Sequence, residues 1–376
     1  MTEDARARRR QAHARLGAQL ARLDDEELRA LLATGPGSRR VVEVGGDRVF
    51  VKRVLVPDSD LEGGGSTRNL HGLPARYSYG IGSIGFGPFR ELATHLKTTG
   101  WVLRGEAGAF PLLLHHRIVP RLGEPAAADM DRHARYVARW GGDRAIGRYV
   151  LERAGARHEL VLFLEHLPHV LERWLLEHPD QVPRLLDDLR ATLDLLHENG
   201  MVHFDSHFAN VLTDGGRAYL SDFGLLLDPE FDLGAEERAF LDAHRLYDYG
   251  RVLWSLGLLL HDMYLELPDE ARRRVAGRCG IGEGCDPFAV PRILVGHLER
   301  IRDEGLMPLD DAFAASVLRY RPVTVLVHDF HAALRASPRK DTPFPGAELR
   351  RLLEETGFAP RAAAAAPPLP PRPEGR

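Results

Sequence analysis

Residues 195–227 read LLHENGMVHFDSHFANVLTDGGRAYLSDFGLLL. Leu195-Leu196-His197 ends an apolar helical run, and Gly200 sits in the polar turn behind it. Met201-Val202 leads into His203-Phe204-Asp205. Five residues after Asp205 stands Asn210, followed at once by Val211-Leu212. Gly215-Gly216 separates that run from Ala218-Tyr219-Leu220, which ends at Ser221-Asp222-Phe223-Gly224. This order of apolar runs and turn residues predicts helix, loop, strand, hairpin turn, strand, loop. Asp205, Asn210 and Asp222 fall where the hairpin's ends meet the loops.

Two carboxylates and an amide placed this way suit a hard cation. Mg²⁺ takes oxygen ligands, usually one or two carboxylates together with substrate phosphates. Asp222 and Asn210 can supply them, which leaves Asp205 to orient or deprotonate a hydroxyl. The spacing H-x-D-x-x-x-x-N, then D-F-G, in the context "LH…G.VH.D", resembles the catalytic and metal loops of the protein-kinase-like superfamily, of the bacterial serine/threonine type. The resemblance implies an α+β, bilobal protein-kinase-like fold, with a small β-rich N-terminal lobe, a larger helical C-terminal lobe and ATP between them. It implies transfer of the γ-phosphoryl of ATP to a hydroxyl, with Mg²⁺, and in first place to a Ser or Thr of a protein.

Outward from this core, Arg40–Val44 and Arg48–Val54 alternate around Gly45-Gly46-Asp47 and predict a β-hairpin. Lys52 stands at the centre of its second strand, VFVKRV. A lysine there either points to solvent from an edge strand or needs an anionic partner, because an unpaired buried charge is costly. The strand is similar to the "V-A-I-K" strand of the superfamily, which makes Lys52 the expected partner of the ATP phosphates. From Pro88 the pattern PFRELATHLKTTGW is helical, and Glu91 falls in its first turn. Acidic residues are common there; the resemblance makes Glu91 the partner of Lys52. The apolar run ELVLFLEHLP is similar to the last strand of the small lobe running into the adenine-binding hinge, which assigns Glu165 and Leu167 to the nucleotide.

The chain also departs from the pattern. No G-x-G-x-x-G loop precedes Lys52; only Gly35-Pro36-Gly37-Ser38 is available, so Gly35 and Gly37 are the expected phosphate-covering glycines. A literal G-x-G-x-x-G at Gly80, Gly82 and Gly85 lies after Lys52, inside a long Gly-rich stretch, 57–88, that suggests function or mobility. Its backbone N–H groups could approach a phosphate. The A-P-E that closes an activation segment is missing. Phe204 replaces the usual arginine, and His207 replaces lysine, as in the H-G-D-x-H pattern of aminoglycoside and choline phosphotransferases. Two alternatives follow: a small-molecule phosphotransferase of that type, with Glu266, Asp269 and Glu270 as candidates for an acidic pocket, or a pseudokinase binding module.

Composition bounds the rest. The chain has 376 residues, 44% hydrophobic and 28% charged, with a formal net charge of −4. That describes a globular protein with no basic stripe for nucleic acid. The two cysteines, Cys279 and Cys285, imply no disulfide framework, and MTEDARARRRQAHARL lacks the apolar core of a signal peptide. The longest apolar stretch, near Val252–Leu260, is too short to span a bilayer, so a cytoplasmic protein with no membrane partner is expected. The expected organisation is an N-terminal helical extension (1–32), a small lobe with a Gly-rich insertion (33–167), a helical lobe (168–358) and a disordered Pro/Ala-rich tail (359–376). Residues 120–158 carry no readable pattern, and the acceptor partner is a protein or small-molecule hydroxyl.

Overall fold

Leucines at helical spacing build α1 (Glu3–Arg22) and α2 (Asp25–Ala33) in the computed structural model, which describes residues 3–33, 38–123 and 129–361. Gly35 and Gly37, and the Pro/Ala-rich tail from residue 362, lie outside the described residues. Asp24 caps α2: its Oδ1 accepts the N–H groups of Glu26 and Glu27 at 2.9 Å, and the Glu27 carboxylate accepts the Asp24 N–H. The predicted hairpin is β1 (Arg39–Val44) and β2 (Asp47–Val56), turning at Gly45 and Gly46, both at positive φ. After the short α3 (Asp58–Glu62) comes an irregular stretch, then α4 (Pro88–Arg104), which begins with proline at its first position. β3 (Leu113–Pro120) is followed by α5 (Met130–Arg139) and α6 (Arg144–Ala154), and β4 (His158–Glu165) completes an antiparallel sheet in the order β1-β2-β4-β3. The two helices between β3 and β4 occupy the segment that the sequence leaves unplaced; Asp129 and Asp143 cap them.

The remainder is largely helical. β5 (His169–Val170), α7 (Leu171–Glu177) and α8 (Val182–Glu198) lead into the loop at 199–210. The hairpin β6 (Val211–Thr213) and β7 (Ala218–Leu220) joins β5 in a small second sheet. Then come α9 (Ala235–Ala243), α10 (Tyr247–Leu265), α11 (Asp269–Cys279), α12 (Val290–Gly296), α13 (Leu298–Asp303), α14 (Asp311–Ala336) and α15 (Gly346–Thr356). α10 is apolar nearly all round and therefore central, packed against α12 and α14. The protein is thus mixed α/β, a small antiparallel sheet beside a larger helical part. Among the described residues no helix is long and apolar enough to cross a membrane.

The Gly-rich stretch 57–88 is held by buried contacts. Tyr77 and Phe86 pack with Trp140, Ile146 and Tyr149 in a cluster separate from the main core. Tyr79 lies among Phe240, His244, Tyr247 and Phe330, and its hydroxyl is 2.6 Å from His244 Nε2. Arg90, buried, pairs with Glu237 at 2.8 Å and donates to the Thr67 carbonyl at 2.7 Å. The stretch therefore ties the sheet side to α9 and α10.

His244 offers a direct reading of this packing. Burial pushes its pKa down to about 4 from the ordinary 6.5, and Nδ1, 2.7 Å from the Phe240 carbonyl, carries the single proton that leaves Nε2 to accept from Tyr79. The unfolded chain takes a proton below pH 6.5 that the folded form refuses. This contribution to stability is present above pH 6.5 and is lost as pH falls towards 4. At 1.36 kcal/mol per unit the loss is up to ~3 kcal/mol. In urea unfolding, the stability gap between wild type and His244→Phe is expected to shrink across that window; a constant gap would show that another group is responsible.

Candidate active site

Lys52 lies mid-strand on β2, opposite Leu162 of β4 and Arg39 of β1. Its side chain is only 12% exposed, and Nζ donates to Glu91 Oε1 and, at 2.7 Å, to Asp222 Oδ1. Glu91, in the first turn of α4, is 4% exposed on its side chain. Burial works against all three charges. For Lys52 the attraction of Glu91 and Asp222 overcomes it and holds the ammonium above the ordinary lysine pKa. Against the same penalty, Lys52 keeps the Glu91 carboxyl below its usual range, helped by His95. Lys52 and Arg39 do so for Asp222. Arg39 was not singled out from the sequence. It donates to Asp222 Oδ2 at 2.8 Å from β1, and its side chain is 58% exposed. Its only local signal was its place across the hairpin from Lys52.

The loop carrying Asp205 is fixed from below by Asp248, in the first turn of α10. The buried Asp248 carboxylate accepts the N–H groups of His203 (2.6 Å) and Phe204 (2.9 Å) and the Ser206 hydroxyl (3.1 Å). These bonds hold Phe204 at φ 65°, a conformation costly for a bulky residue. Burial raises the Asp248 pKa, against the pull of His203 and these donors. The His203 ring spans the site: Nδ1 accepts the Asp205 N–H at 3.2 Å and Nε2 meets the Ser221 carbonyl at 3.0 Å. Burial lowers its pKa, in keeping with a neutral ring.

Asp205 and Asn210 are joined directly. Asn210 Nδ2 donates to the Asp205 carbonyl and to Asp205 Oδ2, both at 2.9 Å. Asp205 Oδ1 faces His207 Nε2 at 3.3 Å and Arg251 Nη2 at 3.4 Å. Burial opposes its charge, but His207 and Arg251 hold its pKa below the carboxylate range. The β6–β7 hairpin sets Asn210 beside Asp222, because the Ser221 N–H and hydroxyl both donate to the Asn210 carbonyl. Asp222 stands at φ 65°, and Phe223 behind it is fully buried against His95, Phe110 and His203.

A cavity of about 330 Å³ opens onto these groups, with Lys52, Asn210 and Asp222 at one end and Val41, Phe50, Leu164, Glu165, Leu167 and Leu212 among its walls. Its size and apolar walls suit a small ligand. Glu165 and Leu167 both line the cavity, as the hinge assignment expects of residues near a nucleotide. The Glu165 carboxylate is held by Arg9 (2.6 and 2.8 Å) and the Glu165 N–H donates to the Leu112 carbonyl, so that N–H is not free for a ligand. The glycines at 80, 82 and 85 come close to this site. Gly80 rests on Asp205, where a Cβ would overlap Oδ1, and Gly85 packs on the Gly224 carbonyl, which accepts the Phe86 N–H at 3.3 Å. Only glycine fits at these two positions.

Among the described residues no three His, Cys, Asp or Glu side chains are grouped to hold a metal ion. The carboxylate of Asp222 and the Oδ1 of Asn210 are oxygen donors suited to Mg²⁺, and two such donors are what an ion carried in on phosphates needs. They fit that ion and would not make a cage without it. Asp248 and Arg251, both in α10, were missed as site residues because nothing local links them to Asp205. Asp248→Ala would leave two buried N–H groups without an acceptor, at about 1–3 kcal/mol each. Its urea midpoint is expected to fall accordingly, and an unchanged midpoint would remove Asp248 from the role given it here.

No protein-family model matches the chain, and no curated protein is similar to it in sequence.

Proposed function

We propose that this chain is an ATP- and Mg²⁺-dependent phosphotransferase with a bilobal, kinase-like arrangement, transferring the γ-phosphoryl of ATP to a hydroxyl. The observation that carries the reading is the convergence of five polar residues from segments far apart in sequence: Lys52, Asn210 and Asp222 line a single cavity, Glu91 holds Lys52 from behind, and Asp205 is bonded to Asn210. Lys52, held by Glu91, would bind the phosphates. Asp222 and Asn210 would hold the ion, which supplies neutralisation of the phosphate charge. Arg39 reaches Asp222 on an exposed side chain and can turn away from one carboxylate oxygen as nucleotide enters. Asp205 would orient the acceptor hydroxyl and take its proton; its ionised form is favoured by Arg251 and His207. Positioning and charge stabilisation account for most of the rate in such transfers. An intact set of this kind has no use in a pure binding module.

Asp222-Phe223-Gly224 motivates a Ser or Thr hydroxyl of a protein as acceptor. A specific observation favours the second reading, a small molecule. Gly80 covers Asp205, and only residues 225–234 separate Gly224 from α9, so little platform is left for an extended peptide. The acidic pocket expected for a cationic amine is not at Asp205. Glu266 lines a separate cavity with Arg173, Glu177 and Asp310, none of which belongs to the site, and Asp269 pairs with Arg272.

Saturating Mg²⁺–ATP is expected to raise the melting temperature of wild type by mass action, and to do so far less in Asp222→Asn. Absence of any shift in folded protein rules out the nucleotide reading. With labelled ATP, Asp205→Ala is expected to keep the nucleotide shift while losing ~10²–10⁴-fold in transfer, the usual range for a general base. Offering both a protein mixture and a set of small alcohols in that assay decides between the two acceptors.

A further inference from the structure

The side of Asp205 away from Lys52 is unusually rich in unneutralised positive charge. Arg251 lies against Asp205 with its side chain only 6% exposed, stacked over Trp254 at 4.5 Å. Among the described residues its Nε and Nη1 are buried without hydrogen-bond partners, and its one carboxylate contact is the 3.4 Å approach to Asp205. Buried donors left in this way are uncommon in folded proteins.

Three more cations gather at the same edge. Arg139, the last residue of α5, places Nη1 3.0 Å from where a Cβ on Gly82 would stand, two residues along from the glycine that rests on Asp205. Arg335, in the last turn of α14, lies 4.4 Å over the Phe288 ring. Lys340 is buried, and its Nζ donates to the carbonyls of Arg335 (2.7 Å) and Ser337 (2.8 Å). Among the described residues none of the three has a carboxylate partner. They repel one another: burial, Arg139 and Arg335 all push the Lys340 pKa down, and burial, Arg251 and His328 do so at His331, with Asp205 opposing. Glu172, on which His207 and Arg251 act, and Asp262 beside it are driven towards their protonated forms, chiefly by burial. A fold that concentrates like charges beside a catalytic carboxylate, without supplying counter-charge, is arranged for an anion from outside.

We propose that Arg139, Arg335 and Lys340, backed by Arg251, form a subsite for the phosphate group of a small acceptor, so that the molecule phosphorylated at its hydroxyl is itself a phosphate monoester. Several separate cations match a dianion better than a single carboxylate, which one arginine would satisfy. The proposal rests on the phosphotransferase reading and narrows its acceptor; Arg251 touches Asp205, and Arg139 reaches Gly82, two residues from the glycine that rests on Asp205.

The test uses the full chain with Mg²⁺ and a saturating non-hydrolysable ATP analogue, so that the nucleotide site is filled, and inorganic phosphate as the probe. Melting temperature is followed against phosphate concentration, with chloride at matched ionic strength as control. Phosphate is expected to stabilise wild type beyond the chloride control, and the Arg139→Ala/Arg335→Ala double variant, which alters two exposed side chains, to bind it at least about tenfold more weakly, tenfold being the loss of a single charge-assisted contact. No phosphate-specific shift, or an equal shift in the double variant, overturns the subsite. If the ATP analogue alone fails to stabilise the protein, the phosphotransferase reading falls, while the phosphate titration repeated without nucleotide still decides the subsite. In transfer assays, glycerol 3-phosphate is expected to accept label in preference to glycerol, and a preference for glycerol counts against the proposal.

Discussion

A buried ammonium must have anionic partners, and Lys52 finds them 39 and 170 residues away in sequence. This one demand aligns three pieces of the fold. β2 carries the lysine, the first turn of α4 brings Glu91, and the turn after β7 brings Asp222. Removing the lysine would leave the buried Glu91 carboxylate without its cation, and removing either carboxylate would leave the buried ammonium with a single partner; breaking such a cluster costs more than the net worth of the intact one. The cluster thus specifies how α4 sits against the sheet and how the β6–β7 hairpin is oriented towards it, even though the surrounding apolar contacts supply most of the stability.

The same logic operates one layer down. Asp248 gathers two backbone N–H groups and a hydroxyl of the loop before Phe208, and His203 passes the constraint on to Asp205 and Ser221. Asp205 therefore stands on a chain of bonds rooted in the most buried helix of the protein. Its direction is set without any dependence on a ligand, which is the preorganisation that a positioned base requires.

Over this floor lies the stretch 57–88, and its aromatic anchors explain why so glycine-rich a segment is ordered. Tyr77, Tyr79 and Phe86 bury large rings, while the glycines between them let the backbone touch Asp205 and Gly224. A segment whose pattern suggests a phosphate loop forms a wall over Asp205 and Gly224. That wall, together with the cations of α5 and α14, gives the proposed acceptor site a character unlike an open peptide groove.

The local chemistry of the chain determined a good deal. Periodicity and turn residues specify α1, α2, the β1–β2 hairpin, α4, α8 and the β6–β7 hairpin, because each is decided by which side chains must be buried within a few residues of one another. The short-range spacing of Asp205, Asn210 and Asp222 is likewise legible, since one hairpin brings them together, and Lys52 is legible through the charge it would otherwise leave unpaired, whereas Glu91 is named only through the family resemblance. The helices α5 and α6 were not, as their apolar faces match only the insertion they cover. Arg39, Asp248 and Arg251 were not either, nor was the packing of Gly80 on Asp205 and of Gly85 on Gly224. For these residues the decisive partner is remote in sequence, and only the packing of α10, α14 and the insertion around Asp205 determines which charges and which backbone meet.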